Sequence, residues 1–66
     1  MLKLDIEREE DGRWVCEVPA LPGVLAYGDT EAEARAHAIA LAFRVIADRI
    51  ENGESVPDEA RNLFAA

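Results

Sequence analysis

Cysteine and histidine are scarce in this sequence of 66 residues, which contains one of each, Cys16 and His37. A single cysteine cannot form an intrachain disulfide, and one cysteine with one histidine does not supply a conventional zinc site. A chain this short buries only about 60% of the surface that its unfolded form exposes, so its stability is marginal. With disulfides and zinc excluded as supplements, we expect self-association and no cofactor.

Long apolar runs are also missing, and no segment approaches the ~18 residues that span a bilayer. The N-terminus, MLKLDIEREED, has neither the basic start nor the apolar segment of a secretory signal, so we expect a cytoplasmic protein. Seven basic residues against fourteen acidic ones give a net charge of −7. This charge repels nucleic acids and anionic membranes, so we expect neither as a partner. It serves either solubility or contact with a basic protein.

Two strands are predicted near the N-terminus, where apolar and charged side chains alternate. The apolar residues of both strands have even numbers, and they share one face only if the numbers of paired residues add up to an even number. A three-residue loop meets this condition and a two-residue loop does not. The turn is therefore predicted as a three-residue loop in which Gly12 takes a left-handed conformation. The pairs that this register makes include Asp5 with Glu17, Ile6 with Cys16, Leu4 with Val18, and Arg8 with Trp14.

The register places Asp5 opposite Glu17 on the outer face of the predicted sheet, with Glu7 nearby. Like charges in directly opposite positions are destabilising. The pair is interpreted as a docking surface for a positive group, as a divalent-ion site, or as a solvated face with splayed carboxylates. Two carboxylates alone make a poor metal site.

A third strand and a long helix follow a proline-containing loop at residues 19–23, which cannot continue a central strand. The strand covers residues 24–27, and Gly28 frees the backbone where the chain leaves the sheet. Thr30 and Glu33 predict a capping box in which the Glu33 carboxylate reaches back to the Thr30 amide. The helix therefore begins at about Glu31 and ends at about Asn52, before Gly53.

The apolar arc of this helix is wider than one packing contact requires. One stripe is predicted to pack on the sheet: Ala34, Ala38, Leu41, Ala42 and Val45. The adjoining stripe contacts either the C-terminal tail or a second copy of the chain, and we predict the second copy. The interface residues are then Ile39, Phe43, Ile46 and Ile50.

Reactive side chains offer little support for an enzyme. Cys16 shares a face with Ile6, so a packed thiol is expected in preference to a nucleophile. The polar strip of the helix is formed by Glu33, His37, Arg44 and Asp48, and His37 is therefore expected to be solvated. We therefore predict no catalytic residues and no metal ligands.

Taken in order, several short motifs resemble the HicB family, whose members are antitoxins of bacterial toxin–antitoxin pairs. The resemblance covers Met1 to about Pro57. It rests on these residues: Pro19, the Leu21-Pro22-Gly23 loop, the Gly28-Asp29-Thr30 helix entry with Glu31, Glu33 and Ala34, and the closing Glu51-Asn52-Gly53-Glu54 with Pro57.

The resemblance implies a single α+β domain over residues 1–66, with a partial ribonuclease H-like fold that lacks nuclease activity. A three-stranded antiparallel sheet in β-β-β-α order would carry one long helix on one face. Where many relatives form a further strand, residues 58–66 are predicted as a short helix or tail. The sequence ends at Ala66, so we expect the family's DNA-binding domain and its promoter binding to be absent.

In function, the resemblance implies neutralisation of a small basic HicA-type toxin, which cleaves messenger RNA, by direct contact. The predicted contact surface is acidic: Asp5, Glu7, Glu17, Glu31 and Glu33. The alternative is a solitary homo-oligomeric HicB-like domain with a regulatory or small-ligand role and no toxin partner.

Overall fold

Three short strands precede two helices along the chain, and the computed structural model describes residues 1–65. The elements are β1 (Asp5–Arg8), β2 (Trp14–Glu17), β3 (Leu25–Gly28), α1 (Glu31–Glu51) and α2 (Asp58–Arg61). The strands form an antiparallel sheet in the order β1-β2-β3, and α1 packs on one face of it. The predicted α+β architecture is therefore confirmed.

The hairpin between β1 and β2 has the predicted register, with Asp5 opposite Glu17, Ile6 opposite Cys16, and Arg8 opposite Trp14. Its turn is also as predicted, because Gly12 has a φ of 93° and donates its N–H to the Glu9 carbonyl at 3.0 Å. The Glu9 N–H in turn donates to the Arg13 carbonyl at 2.7 Å and closes the three-residue loop. The hairpin is thus a type I turn followed by a left-handed glycine.

Two consecutive turns connect β2 to β3 and bury a leucine between them. The Leu21 N–H donates to the Val18 carbonyl at 2.9 Å, and the Val24 N–H donates to the Leu21 carbonyl at 2.9 Å. Gly23 has a φ of 89° and follows Pro22, which is the pattern of a type II turn. The loop therefore contributes Leu21, which is fully buried, to the core beside Val18 and Val24.

The start of α1 confirms half of the predicted capping box. Thr30 Oγ1 accepts a hydrogen bond from the Glu33 N–H at 3.1 Å. The Glu33 carboxylate, however, accepts from the Asp29 N–H at 3.0 Å and not from the Thr30 N–H, so that part of the prediction was wrong. The N–H groups of Asp29 and Thr30 both precede the helix and lack an intrahelical acceptor. The Glu33 carboxylate bonds to the N–H of Asp29, which lies farther from the helix.

The end of α1 is a Schellman motif around Gly53, whose φ is 70°. The Gly53 N–H donates to the Ile50 carbonyl at 3.2 Å, and the Glu54 N–H donates to the Arg49 carbonyl at 2.8 Å. These bonds satisfy carbonyl groups that the helix leaves without partners. The predicted stop is confirmed, with Asn52 as the C-cap residue.

Small side chains bring α1 close to the sheet. Ala34, Ala38 and Ala42 are buried, as the predicted packing stripe requires. At Gly28, an added Cβ would lie 2.4 Å from the Ala34 backbone nitrogen, and the backbone φ of Gly28 is not positive. The expectation that Gly28 frees the backbone is corrected: glycine is needed there because the first turn of the helix approaches too closely for a side chain.

After α1, the chain forms the short helix α2, where a helix or tail was predicted. Ala60 is buried, whereas Leu63 and Phe64 are exposed. Ala66, the last residue of the predicted tail, lies outside the described residues. None of the helices in residues 1–65 has the length and apolar character needed to cross a membrane.

Candidate functional site

The sheet has one face covered by α1 and one uncovered face, here called the outer face. Side chains alternate between the two faces along a strand, so the register assigns six strand residues to the outer face. They are Asp5, Glu7, Val15, Glu17, Leu25 and Tyr27. The buried Cys16 and its partners Ile6 and Ala26 point the other way, toward α1.

The acidic half of the outer face is formed by β1 and the end of β2. Asp5 lies directly opposite Glu17, and Glu7 is two positions along the same strand. Lys3 Nζ is 3.6 Å from Asp5 Oδ1, but the two side chains are 78% and 48% exposed. An ion pair this exposed contributes little, so the repulsion between the carboxylates is only weakly offset.

Glu31 and Glu33 do not lie beside the opposed carboxylates of Asp5 and Glu17. They lie in the first turn of α1, which follows Gly28, and Gly28 pairs with Trp14 at the end of the sheet away from Asp5 and Glu17. The Glu33 carboxylate is already engaged with the Asp29 amide. The structure therefore divides the predicted acidic surface into the outer-face group on the strands and a separate helix-entry group.

The other half of the outer face is apolar, which sequence reasoning missed. Leu25 and Tyr27 of β3 are 39% and 42% exposed, and the half-buried Val15 lies opposite Tyr27. The Arg13 guanidinium carbon is 4.6 Å from the centroid of the Tyr27 ring. Extending the register from β2 to β3 would have found this strip, because it puts odd-numbered residues of β3 on the outer face.

The outer face does not assemble a metal-ligand set. Among residues 1–65, no group of three His, Cys, Asp or Glu side chains is placed to hold an ion. Asp5 and Glu17 alone provide fewer oxygen ligands than a divalent cation prefers. The divalent-ion interpretation therefore receives no support from the donor groups.

Cys16 and His37, the two side chains considered as reactive groups, both make contacts within the fold. Cys16 is fully buried among Ala34, Ala38 and the strands, as predicted, and this burial raises the pKa of its thiol and disfavours the nucleophilic thiolate. His37 is exposed as predicted, but its Nδ1 lies 2.9 Å from the Tyr27 carbonyl oxygen. The expectation of a simply solvated histidine is corrected, because α1 passes close enough to β3 for this hydrogen bond.

A second surface lies where the other stripe of α1 faces the start of the chain. It is an apolar groove of about 260 Å³. Its lining residues include Leu2, Leu4, Val18, Ile39, Phe43 and Leu63. Of the predicted interface residues, Ile39, Phe43 and Ile50 are exposed, and Phe43 is 60% exposed. Ile46 instead packs partly against the core around Val18.

Comparison with protein-family models, curated proteins and solved structures finds no match to the chain.

Proposed function

We propose that this chain is a non-catalytic protein-binding module of the HicB antitoxin type, which neutralises a small basic HicA-type toxin by direct contact. Such a module would act in the bacterial cytoplasm. The observation that carries the proposal is the directly opposed pair of Asp5 and Glu17 on an uncovered sheet face. The arrangement of three antiparallel strands and one long helix is the one that the HicB resemblance implies.

The physical role of the carboxylates follows from their position. Opposed like charges destabilise the free module, and a cationic group from a partner removes that repulsion on binding. A net charge of −7 would also accelerate the encounter with a basic protein and make it sensitive to salt. The adjacent Val15, Leu25 and Tyr27 add apolar area, which opposite charges alone do not supply.

The first experiment expresses the module with the protein encoded by the adjacent reading frame and purifies the pair. A short basic neighbour that co-purifies supports the proposal. Absence of both a basic neighbour and a complex removes the antitoxin function.

The second experiment reverses the outer-face charge. Asp5→Lys with Glu17→Lys should weaken toxin binding about a hundredfold by titration calorimetry, because attraction becomes repulsion. The matched control is Glu51→Lys with Glu54→Lys, which changes the net charge equally at two exposed positions, the last residue of α1 and the segment after it. Equal effects of the two double variants would mean that net charge, and not the outer face, governs binding.

The exposed apolar stripe of α1 favours the second candidate function, a homo-oligomeric domain with a regulatory or small-ligand role and no toxin. Ile39, Phe43 and Ile50 are large apolar side chains that a small monomer would normally cover. Light scattering should then detect a dimer or larger species that Phe43→Glu weakens, while the polar-strip control Arg44→Glu does not. A monomer at every concentration contradicts this function.

A further inference from the structure

The hydrogen bonds at the ends of β2 determine which backbone groups of the sheet remain available. In an antiparallel pair, hydrogen-bonded residue pairs alternate with non-hydrogen-bonded ones. The Glu9 N–H donates to the Arg13 carbonyl just after the end of β1, and the Val18 N–H donates to the Val24 carbonyl just before the start of β3. Counting from these bonds, even-numbered residues of β1 and odd-numbered residues of β3 direct their N–H and C=O groups away from β2.

At the β3 edge, the outward groups belong to Leu25 and Tyr27. The Tyr27 carbonyl already has a partner, because His37 of α1 lies 2.9 Å from its oxygen. Helix α1 packs mainly against β3 and β2, and its first turn lies against Gly28. A strand added here would have to pass the helix and share the carbonyl that His37 occupies.

At the β1 edge, the outward groups belong to Ile6 and Arg8. In the sheet formed within residues 1–65, β1 has β2 as its neighbour and no strand on its other side. Helix α1 reaches β1 least, which leaves the apolar groove open beside it. The groove exposes Phe43 and Ile39 next to Leu4. The open edge of β1 is therefore adjacent to the apolar groove.

The side chains beside this edge define what would pair with it. On the outer face, a fourth strand would lie next to Asp5 and Glu7, so positive side chains are favoured there. On the inner face, it would lie next to Ile6 and Leu4 and above the groove, so apolar side chains are favoured there. Because strand residues alternate between faces, the matching segment alternates basic with apolar residues.

The same charges disfavour a second copy of the chain at this edge. Only registers that oppose even-numbered residues of the two β1 strands join their outward backbone groups. Each antiparallel register that opposes Ile6 or Arg8 to Ile6 or Arg8 of the other copy also opposes odd-numbered residues, so that Asp5 or Glu7 meets a carboxylate. Like charges in opposite positions destabilise the pair.

We propose that the free edge of β1 accepts an extended segment of a partner protein as a fourth strand, in which lysine or arginine alternates with apolar residues. Backbone hydrogen bonds to Ile6 and Arg8 would hold the segment, and the side-chain alternation would select it. This inference rests on the proposed function, since it states how a basic partner would dock.

The test uses two capped synthetic peptides of about nine residues, a length typical of a long strand. One alternates lysine with valine, and the other has the same composition with all lysines in one half. Binding is measured by titration calorimetry, and amide hydrogen exchange of the protein is followed by NMR. The alternating peptide should bind about tenfold more tightly and slow exchange at the Ile6 and Arg8 amides, with no change at Leu25 and Tyr27.

Arg8→Pro removes one outward N–H of β1 and should weaken binding of the alternating peptide about tenfold. We expect this loss of affinity although the substitution also removes a positive charge, which by itself would favour binding of a basic peptide. The matched control, Leu25→Pro, removes an outward N–H from the β3 edge and should leave the affinity within about twofold. Exchange at the Cys16 amide, directed toward β3, checks that each variant retains the sheet.

Equal binding of the two peptides, no binding of either, or unchanged affinity in Arg8→Pro would overturn the inference. So would concentration-dependent protection of Ile6 and Arg8 without peptide, because a second copy would then occupy the edge. If the peptides fail but a basic neighbour co-purifies, the proposed function stands and only the strand-addition mode is lost. If co-purification fails as well, both are lost.

Discussion

The two edges of the sheet are alike in length and pairing but differ in what lies beside them. Strands β1 and β3 each contain four residues and each pair antiparallel with β2. Beside β3, the helix covers the inner face and His37 bonds to an outward carbonyl. Beside β1 there is an open groove and a row of carboxylates. Edge strands are sites of unwanted pairing, and this protein uses a helix at one edge and charge at the other.

Chain connectivity explains the asymmetry. Strand β3 runs directly into α1 through Gly28 and Thr30, so the helix must begin beside β3. Strand β1 has no such connection, and Phe43 and Ile39 of α1 stay exposed in the groove beside it. The protected edge of the sheet is therefore the one that is joined directly to the helix.

Gly28→Ala, at the junction of β3 with α1, is predicted to be the most destabilising of the substitutions. The added Cβ would lie 2.4 Å from the Ala34 nitrogen and 2.7 Å from Glu33 Cβ, so helix and strand must separate. We expect the free energy of unfolding to fall by about 3 kcal/mol, measured by urea denaturation. For a domain of this size, that is most of the stability.

The matched control for Gly28→Ala is Gly53→Ala. Gly53 has a φ of 70° and open space where the Cβ would be placed, so its cost is conformational only. We expect this substitution to lower the free energy of unfolding by about 1 kcal/mol. Equal losses at the two positions would show that the close approach of α1 to β3 is not what requires glycine at Gly28.

Proline substitutions at neighbouring positions of β1 distinguish the backbone N–H groups that face β2 from those that face outward. Glu7→Pro removes an N–H directed at β2, whereas Arg8→Pro removes one directed outward. Urea denaturation should show Glu7→Pro to be about 2 kcal/mol more destabilising than Arg8→Pro, because only the first breaks a hydrogen bond within the sheet. A larger loss in Arg8→Pro would reverse the assignment and close the β1 edge.

The smallest expected effect concerns the histidine that covers β3. His37→Ala should lower the free energy of unfolding by about 1 kcal/mol, since it removes the hydrogen bond to the Tyr27 carbonyl. Arg44→Ala, on the same polar strip of α1, serves as the control and should change stability by less than about 0.5 kcal/mol. If the two variants lose stability equally, His37 does not protect the edge.

Local patterns predicted the elements and the hairpin of this fold. Alternation and Gly12 fixed the pairing of Asp5 with Glu17, and Gly53 predicted the end of the helix. The burial of Leu21 was missed, because a leucine between prolines has no periodic neighbours that identify it as core. The separation of Glu33 from the outer-face carboxylates was also missed, because the two groups share composition but lie on different elements.

Local sequence patterns predicted the three strands, the register of the first hairpin, the alanine stripe of α1, the Thr30 N-cap and the helix stop at Gly53. These features depend on residues a few positions apart, or on a period that the chain carries with it. Three further features became visible only in the folded structure: α1 lies over β3, His37 covers the β3 edge, and the β1 edge stays open beside a groove. Those relations join residues that are distant along the chain, and the physical reason for them is the close packing that Gly28 and Ala34 permit.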